Sequence, residues 1–375
     1  MVQTQKLFVY VFYACFLLSN LPTYSWGRRL FEKEGPNYAV KTIKTEYGDI
    51  YDCIDFYKQP AFNHALLKNH TFHPSTRSNS KPKMAGKNTN SLTKNDMFLD
   101  MIRFKGESCP SGTVPIRRVN KYDPDSRFPE HNVSGTVFAL GQTKNDPSKK
   151  YYGANGVLSA WNPQVKPNQY TSAEIILRGG TDSIIAGWTV NPAKYGDTQT
   201  RFFIYANANN KLCFDSECGF VVTRPDTPLN FILSPLSNIT GPIYTYPVFV
   251  YQDAKDGNYY LQVSSRNIEL GFWPQNIFAG MKNGASYAGC GGEVYSQDTV
   301  KPIDAPVMGA GTYPDIYPDK KNFAFCKFSV VDDSHNVVVP TDIEKFTNNP
   351  EYNAVVTNQD HGKVIYYGGP FPVNV

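Results

Sequence analysis

The chain has 375 residues, of which 41% are hydrophobic, 14% aromatic and only 19% charged, with a formal net charge of +4. Globular chains carry about 25% charged residues, and this apolar composition excludes a disordered chain, which cannot bury enough apolar surface to offset the entropy of ordering. The small net charge gives no electrostatic argument for nucleic-acid binding. Many aromatic residues and few charges favour a β-rich fold, as two domains or one large sandwich.

The N-terminus has the pattern of a secretory leader. Lys6 precedes an apolar run at residues 7–18, and small residues follow near Ser25. The run is too short to cross a bilayer core about 30 Å thick, whereas a basic start and a short apolar stretch are typical of a signal peptide. We therefore expect a signal peptide at 1–25, with a buried core helix as the alternative. The mature chain is expected to be secreted into the extracellular space.

The cysteines favour disulfide bonds. Cys15 lies in the leader, and the others form an even set, which in a secreted chain favours disulfides. Cys213 and Cys218 are close enough to close a small hairpin loop, so we pair them first. The simplest remaining pairs are Cys53–Cys109 and Cys290–Cys326, although spacing alone leaves the connectivity open. Zinc is the alternative, but no Cys-x-x-Cys or His-x-His accompanies the cysteines, so we expect no metal.

Three Asn-x-Ser/Thr sequons predict surface glycosylation. They begin at Asn69, Asn132 and Asn238. Such a sequon marks an acceptor site on the surface of a secreted protein. The prediction therefore depends on secretion.

Two polar segments divide the chain after the leader. Residues 74–96 are polar, basic and contain proline, which predicts an exposed linker, and residues 119–132 form a second break. A small module at roughly 27–118, with its own cysteine pair, lies upstream of the second break.

Short strands are predicted beyond the second break. Runs of β-branched, aromatic or alternating residues, separated by Gly, Asn, Asp and Pro, occur at 156–161, 173–177, 183–190, 201–205, 219–223, 248–252, 259–263 and 323–331. Many short strands at close spacing are typical of an antiparallel sandwich or barrel rather than of βαβ units.

The common catalytic motifs are absent from the sequence. There is no Gly-x-Ser-x-Gly, P-loop, His-Glu-x-x-His or strand-linked Gly-x-Gly-x-x-Gly. The histidines from the second break onward are His131, His335 and His361, and the cluster around Asp332 and His335 is expected to be a solvated turn. Histidine-based nucleophilic catalysis is therefore poorly supported, and carboxylates remain as candidates.

Several ordered motifs resemble one family. Residues 47–70 read YGDIYDCIDFYKQPAFNHALLKNH, and residues 107–118 read ESCPSGTVPIRR. Downstream follow YYGANGVLSAWNPQV, AGWTVNP, YGDTQTRFFIY, GFWP, GGEV, MGAG and YYGGP. The first two resemble the activation peptide, and the others the mature domain, of the plant neprosin family. The resemblance extends over nearly the whole chain after the leader.

This resemblance implies a secreted glutamic endopeptidase that is made as a zymogen and cleaves after proline. It implies an antiparallel β-sandwich, similar in architecture to fungal glutamic peptidases, preceded by a small prodomain. We expect a signal peptide at 1–25, a neprosin activation peptide at 26–128 and a catalytic-type domain at 129–375, with a candidate processing site at Arg127. A permanent accessory domain is the alternative for the prosegment. No cofactor is implied.

The implied chemistry needs two carboxyl groups. One ionised group activates water and one protonated group donates to the leaving nitrogen, and proximity separates their pKa values because both do not ionise easily at once. The family places its glutamates in an Ile-Glu-x-Gly-Trp strand and in a Gly-Gly-Glu-Val/Ile strand. Glu293 matches the second, but Ile185 occupies the first position, within SIIAGW. Isoleucine neither accepts nor donates a proton, so the usual pair is broken.

Glu174 is the candidate substitute for the missing carboxyl. A two-residue turn at Gly179-Gly180 would place Glu174 opposite Ile185, and a four-residue turn would pair Ile176 with Ile185. Because side chains alternate with period two, Glu174 and Ile185 share a face in both cases. In the second they are diagonal neighbours about 7 Å apart. The alternative is that Glu174 is only a polar residue lining the cleft.

Aromatic residues within the motifs are candidates for a substrate groove. Trp188, Tyr205 and Trp273 are placed where they could stack on a proline-rich segment, as rigid proline segments dock on aromatic surfaces. Burial in the core is the alternative, since alternate positions of a sandwich strand face inward.

Two functions are consistent with these residues. The first is a secreted glutamic endopeptidase that hydrolyses proline-containing peptides at acid pH with Glu293 and Glu174. The alternative is a catalytically inactive neprosin-like protein that binds peptide or cell-wall protein in the same groove. In both, the partner is a peptide or protein, including proline-rich ones. Neither nucleic acid nor, after leader removal, a membrane is expected as a partner.

Overall fold

The computed structural model describes residues 38–84, 103–104, 106–118, 134–264, 266–297, 304–314, 323–359 and 362–370, without the side chains of Met84 and Cys218. The predicted signal peptide, the candidate processing site at Arg127 and the sequon at Asn132 lie outside these residues. Within these ranges, no helix is long and apolar enough to cross a membrane.

Strands dominate the described residues. In chain order they are β1 Ala39–Lys44, β2 Ile50–Asp55, β3 Lys83–Met84, β4 Thr113–Arg117, β5 Thr136–Thr143, β6 Gly153–Ser159, β7 Gln169–Gly179, β8 Asp182–Val190, β9 Arg201–Ala208, β10 Lys211–Phe214, β11 Val221–Val222, β12 Thr245–Gln252, β13 Tyr259–Val263, β14 Ile268–Trp273, β15 Tyr287–Ser296, β16 Ala324–Val331, β17 Asn336–Val338, β18 Ile343–Thr347, β19 Asn353–Gln359 and β20 Gly362–Gly368. One short α-helix, Pro192–Tyr195, and single 3-10 turns at Phe56–Lys58, Pro60–Asn63, Ala65–Leu67, Asp215–Cys218 and Gln275–Ile277 interrupt them.

The strands form three sheets. A small antiparallel sheet, ordered β1-β2-β4, makes up the N-terminal module. A seven-stranded sheet is ordered β10-β9-β8-β7-β15-β5-β18. A ten-stranded sheet is ordered β11-β14-β13-β12-β6-β16-β17-β3, with β20 pairing with both β16 and β19. All pairings are antiparallel except that of β17 with β3, so the predicted mainly β, antiparallel sandwich is confirmed.

The two large sheets pack on each other through alternate side chains of their strands. In β7, for example, Ala173, Ile175 and Leu177 enter the main core cluster, while the residues between them face the other way. Gly156 on β6 allows the close approach of the sheets, because a Cβ there would stand 2.4 Å from Cγ2 of Ile175. The sandwich therefore has one continuous inner core.

Disulfide bonds fasten the sandwich and the N-terminal module. Cys290 on β15 is bonded to Cys326 on β16 and so links the two large sheets. Cys53 is bonded to Cys109 inside the small core of the N-terminal module. Cys213 is also disulfide-bonded, whereas the side chain of Cys218 lies outside the described residues, so their pairing stays a prediction.

The N-terminal module is docked on the sandwich through polar contacts. The side-chain amide of Gln59 donates to the carbonyl of Val222 at 3.2 Å and accepts from its N–H at 2.7 Å. At the other end of the ten-stranded sheet, β3 pairs with β17. In the chain segment that precedes β3, the hydroxyl of Ser78 and the backbone N–H groups of Asn79 and Ser80 donate to Oδ2 of Asp253, at 2.7 to 2.8 Å. The segment predicted as an exposed linker is therefore held against the sandwich at residues 78–80.

Candidate active site

Two glutamate side chains meet on the face of the seven-stranded sheet that points away from the inter-sheet core. Glu174 on β7 lies opposite Gly291 on β15, and Glu293 on β15 lies opposite Ser172 on β7. Both therefore project from one face as diagonal neighbours, about 7 Å apart at the backbone. Each carboxyl group shifts the pKa of the other, so the two lie within electrostatic reach. This is the proximity that a substitute role for Glu174 requires.

Two hydroxyl groups position the carboxyls. The hydroxyl of Tyr170 donates to Oε1 of Glu293 at 2.6 Å, and that of Ser172 donates to Oε2 of Glu174 at 3.0 Å. Among the described residues, no N–H or hydroxyl group donates to Oε1 of Glu174 or Oε2 of Glu293. Because an ionised carboxylate only accepts hydrogen bonds, a hydrogen bond between the two glutamates would need a proton on one of them.

Burial raises the pKa of both carboxyls. Glu174 is 0% and Glu293 1% exposed. Desolvation raises the pKa of Glu174 from its ordinary 4.5 to about 7, against the lowering by its hydrogen bonds and by Arg178. Desolvation, followed by the charge of Glu174, holds the pKa of Glu293 well above its ordinary value. Both carboxyls are therefore neutral in acid, and the charge left by the first ionisation opposes the second, so a singly ionised pair offers one base and one acid.

Glycines lie beside Glu174 in both directions across the sheet. Gly187 on β8 and Gly291 on β15 are its direct cross-strand partners. At Gly187 a Cβ would stand 1.9 Å from the carbonyl oxygen of Ala173. No side chain therefore flanks Glu174 in its own cross-strand row.

Ile185 lies next to this pair in an apolar cluster. It is opposite Ile176, and Gly179 pairs with Asp182, so the hairpin has a two-residue loop at Gly180-Thr181. Of the two registers considered, the one that pairs Ile176 with Ile185 is present, and Ile185 is thus diagonal to Glu174. Its side chain is 1% exposed and packs in a cluster of residues on the same face, namely Phe138, Leu140, Tyr170, Ile176, Phe203, Tyr205, Phe214 and Tyr287.

Comparison with known families decides the assignment. Residues 167–370 match the Neprosin family, and residues 42–127 match the Neprosin activation peptide. The chain belongs to the neprosin family. The N-terminal module is thus the activation peptide of a neprosin-family chain. Strands β5 and β6 precede the matched Neprosin range but pair with strands inside it, so they belong to the same sandwich.

Solved structures similar to this neprosin-family chain include glutamic peptidases. One is a Scytalido-glutamic peptidase with a peptide-based transition state analog, at 8% identity, covering 63% of this chain and 98% of that chain with a TM-score of 0.33. Another is SCP-B, a member of the Eqolisin family of peptidases in complex with the tripeptide Ala-Ile-His, at 8% identity, covering 62% and 96% with a TM-score of 0.32. Similarity at this level carries no argument about function.

The three predicted groove aromatics separate in the neprosin fold. Tyr205 lies on the face of the two glutamates, with its ring centroid 5.2 Å from that of Phe214. Trp188 projects from the opposite face of β8 into the inter-sheet core, where its indole N–H donates to the carbonyl of Ser159. Trp273 is fully buried in the same core, against Phe220. The groove assignment is therefore corrected for both tryptophans, which are structural.

Sequence analysis missed the polar residues beside the carboxyl pair. Tyr170, Ser172 and Arg178 alternate with Glu174 along β7 and so share its face. Period-two counting outward from Glu174 would have found them. The contact of Tyr170 with Glu293 depended in addition on knowing that β15 pairs with β7.

The other predicted polar sites lie away from the carboxyl pair. Asn69 and Asn238 are exposed on loops, where their predicted glycosylation stays a prediction. Asp332 caps a turn by accepting from the backbone N–H groups of Ser334 and Asn336. Within the described ranges, no group of three or more His, Cys, Asp or Glu side chains is arranged to hold a metal ion.

Proposed function

We propose that this chain is the zymogen of a secreted endopeptidase that hydrolyses proline-containing peptides with Glu174 and Glu293 as its carboxyl pair. The observation that carries the proposal is the placement of two buried carboxyls as diagonal neighbours on paired strands, where burial raises the pKa of both. Membership of the neprosin family and the matched activation peptide support it. In this proposal Glu174 takes over the role of the family glutamate that Ile185 replaces.

The proposed reaction uses the two carboxyls in different protonation states. Ionised Glu174 accepts a proton from water as the water oxygen attacks the scissile carbonyl carbon, and neutral Glu293 donates its proton to the leaving nitrogen as the C–N bond breaks. Glu174 then holds a proton and Glu293 is ionised. Because the two carboxyls are diagonal neighbours on paired strands, that proton returns to Glu293 directly or through one water. Ser172 and Tyr170 keep the carboxyls in place.

Latency and an acid pH optimum follow from burial in this proposal. In the zymogen both carboxyls are excluded from solvent, and desolvation keeps both neutral in acid. Loss of the activation peptide and entry of water would lower both pKa values. The singly ionised pair then forms below neutral pH, where the enzyme works.

The decisive experiment is hydrolysis of proline-containing peptides from pH 3 to 8 after processing of the secreted chain. Glu293→Gln and Glu174→Gln should each lower kcat by about a thousandfold or more, since removal of one member of a catalytic pair costs orders of magnitude. Glu351→Gln, which removes an exposed carboxylate, is the matched control and should leave kcat unchanged. Equal rates for wild type and Glu293→Gln would reject the proposal.

The second candidate is an inactive relative that binds peptide or cell-wall protein on the same face. Ile185 favours it, because the residue at the first family glutamate position is fully packed in an apolar cluster. This candidate predicts peptide binding without turnover at any pH. Wild type hydrolysis that is lost in Glu174→Gln would reject it.

A further inference from the structure

Arg201 is a cation on the same face of the seven-stranded sheet as the carboxyl pair. Along one cross-strand row, Arg201 on β9 is opposite Thr189, Thr189 is opposite Ser172, and Ser172 is opposite Glu293. Arg201 is thus three strands from Glu293, or about 14 Å at a spacing of about 4.8 Å per strand. Its side chain is 1% exposed, so its guanidinium is held in place by neighbours rather than by solvent.

The Neprosin domain fixes the guanidinium of Arg201 on one side. Asp197 accepts from Nη2 at 2.5 Å and from Nε at 3.3 Å. The carbonyl of Asn230 accepts from Nη1 at 3.1 Å, and the guanidinium lies 5.4 Å from the ring centroid of Tyr195. These contacts use three of the five N–H groups and set the direction of the other two.

The activation peptide fills the remaining side with a carboxylate. Asp49 accepts from Nη1 of Arg201 at 2.7 Å and from Nη2 at 3.1 Å, which is the bidentate geometry that arginine offers to carboxylates. Asp49 is also paired with Arg117 of the activation peptide, at 3.1 Å. If the activation peptide leaves, Asp49 leaves with it and keeps its ion pair with Arg117. The two N–H groups of Arg201 that donate to Asp49 would then have no carboxylate acceptor, while the other contacts still hold their direction.

We infer that Arg201 is a carboxylate-binding subsite of the substrate groove, which Asp49 occupies in the zymogen and a peptide carboxylate occupies after activation. This inference rests on the proposed function, in that the activation peptide must leave. The distance of about 14 Å corresponds to about four residues of extended peptide at about 3.3 Å each. The ligand is thus a peptide with an aspartate, a glutamate or a free C-terminus about four residues from the scissile bond.

Binding of a carboxylate by Arg201 can be tested in the full chain without any hydrolysis. Asp49→Ala removes the carboxylate and leaves a space of its size, which formate can fill. We expect Asp49→Ala to lower Tm and formate to restore it in a saturable way, whereas chloride at equal ionic strength has no such effect. Asp342→Ala, which removes the carboxylate of the exposed ion pair with Lys149, is the matched control and should not be rescued. Absence of rescue in Asp49→Ala, or equal stabilisation of all variants and wild type, would overturn the inference.

The role in substrate binding is tested with paired peptides on the processed chain. A single aspartate is moved along one proline-containing sequence, and each peptide is compared with its asparagine counterpart. We expect about a tenfold higher kcat/KM for aspartate at one position about four residues from the cleaved bond, because charge-assisted bidentate hydrogen bonds are lost with asparagine. Peptides that end at that position as free acid or amide distinguish a terminal from a side-chain carboxylate.

Failure of the carboxylate subsite can be distinguished from failure of the proposed hydrolase. If no peptide is cleaved, the same pairs are compared for binding to the processed Glu293→Gln chain by fluorescence anisotropy. A tenfold preference for aspartate in binding alone would support the subsite and reject the hydrolase. Equal behaviour of aspartate and asparagine at every position, in hydrolysis and in binding, would reject the subsite.

Discussion

Replacement of Glu174 by glutamine should change how the stability of the chain depends on pH. In the folded chain the pKa of Glu174 is raised from 4.5 to about 7 by burial, so the folded state binds a proton that the unfolded state has already released between these values. Folding stability therefore falls as pH rises from about 4.5 to about 7. Glutamine keeps the shape of the neutral acid but has no proton to lose, so the variant should lack this loss.

The expected magnitude follows from the size of the pKa change. Each pKa unit is worth about 1.4 kcal/mol, so the rise from 4.5 to about 7 corresponds to a loss of about 3 kcal/mol of unfolding free energy across that interval. Burial raises the pKa of Glu293 in both chains, and the charge of Glu174 adds to that rise only in wild type, so Glu293 does not reduce the difference between them. The unfolding free energies of wild type and Glu174→Gln should thus change in parallel below about pH 4.5 and differ by at least about 3 kcal/mol by pH 7 to 8.

Urea unfolding followed by tryptophan fluorescence, repeated from pH 4 to 8, measures this difference. Trp188 and Trp273 are buried in the core and report its loss. Glu351→Gln, at an exposed position, is the matched control and should follow wild type throughout. Parallel curves for wild type and Glu174→Gln between pH 4.5 and 7 would refute the reasoning that burial holds a proton on this pair.

Further predictions concern the pair, a disulfide and the activation peptide. The double variant Glu174→Gln/Ile185→Glu restores the family arrangement and should recover the hydrolysis that Glu174→Gln alone abolishes. An unrecovered kcat in the processed chain would argue against the proposal that Glu174 takes the role of the glutamate replaced by Ile185. Replacement of both cysteines of the Cys290–Cys326 pair by alanine should lower the unfolding free energy by about 4 kcal/mol for a sequence separation of 36, and an unchanged urea midpoint would contradict this. Gln59→Ala leaves the N–H and carbonyl of buried Val222 without their partner and should cost about 2 to 4 kcal/mol. Gln164→Ala, at an exposed position, should stay within about 0.5 kcal/mol of wild type.

The sequence was most informative where local pattern decides the structure. Each run predicted as a strand overlaps one, although the run at 219–223 is reduced to Val221–Val222. Tight hairpin geometry also limited Glu174 and Ile185 to one face of the sheet, because both even-numbered loops preserve the period of two. The register itself was left open by the glycines around the turn.

Long-range pairing decided what the sequence could not predict. Glu174 and Glu293 meet because β15 pairs with β7, and two strands more than a hundred residues apart in the chain leave no local signal of their pairing. The groove prediction for Trp188 is wrong for the same reason. Its position in a family motif favours the groove, but side chains alternate along β8 and that of Trp188 points into the inter-sheet core. Arg201 lies within the motif YGDTQTRFFIY, but its ion pair with Asp49 depends on how the activation peptide docks on the sandwich, which no local pattern predicts.

The activation peptide covers two strand edges of the ten-stranded sheet. Gln59 occupies the free backbone groups of β11 at one edge of the ten-stranded sheet, and β3 occupies those of β17 at another. An unpaired edge is a template for strand addition by other chains. Removal of the peptide would thus open two such edges. The mature sandwich would then carry strand edges that the full chain does not expose, wherever processing takes place.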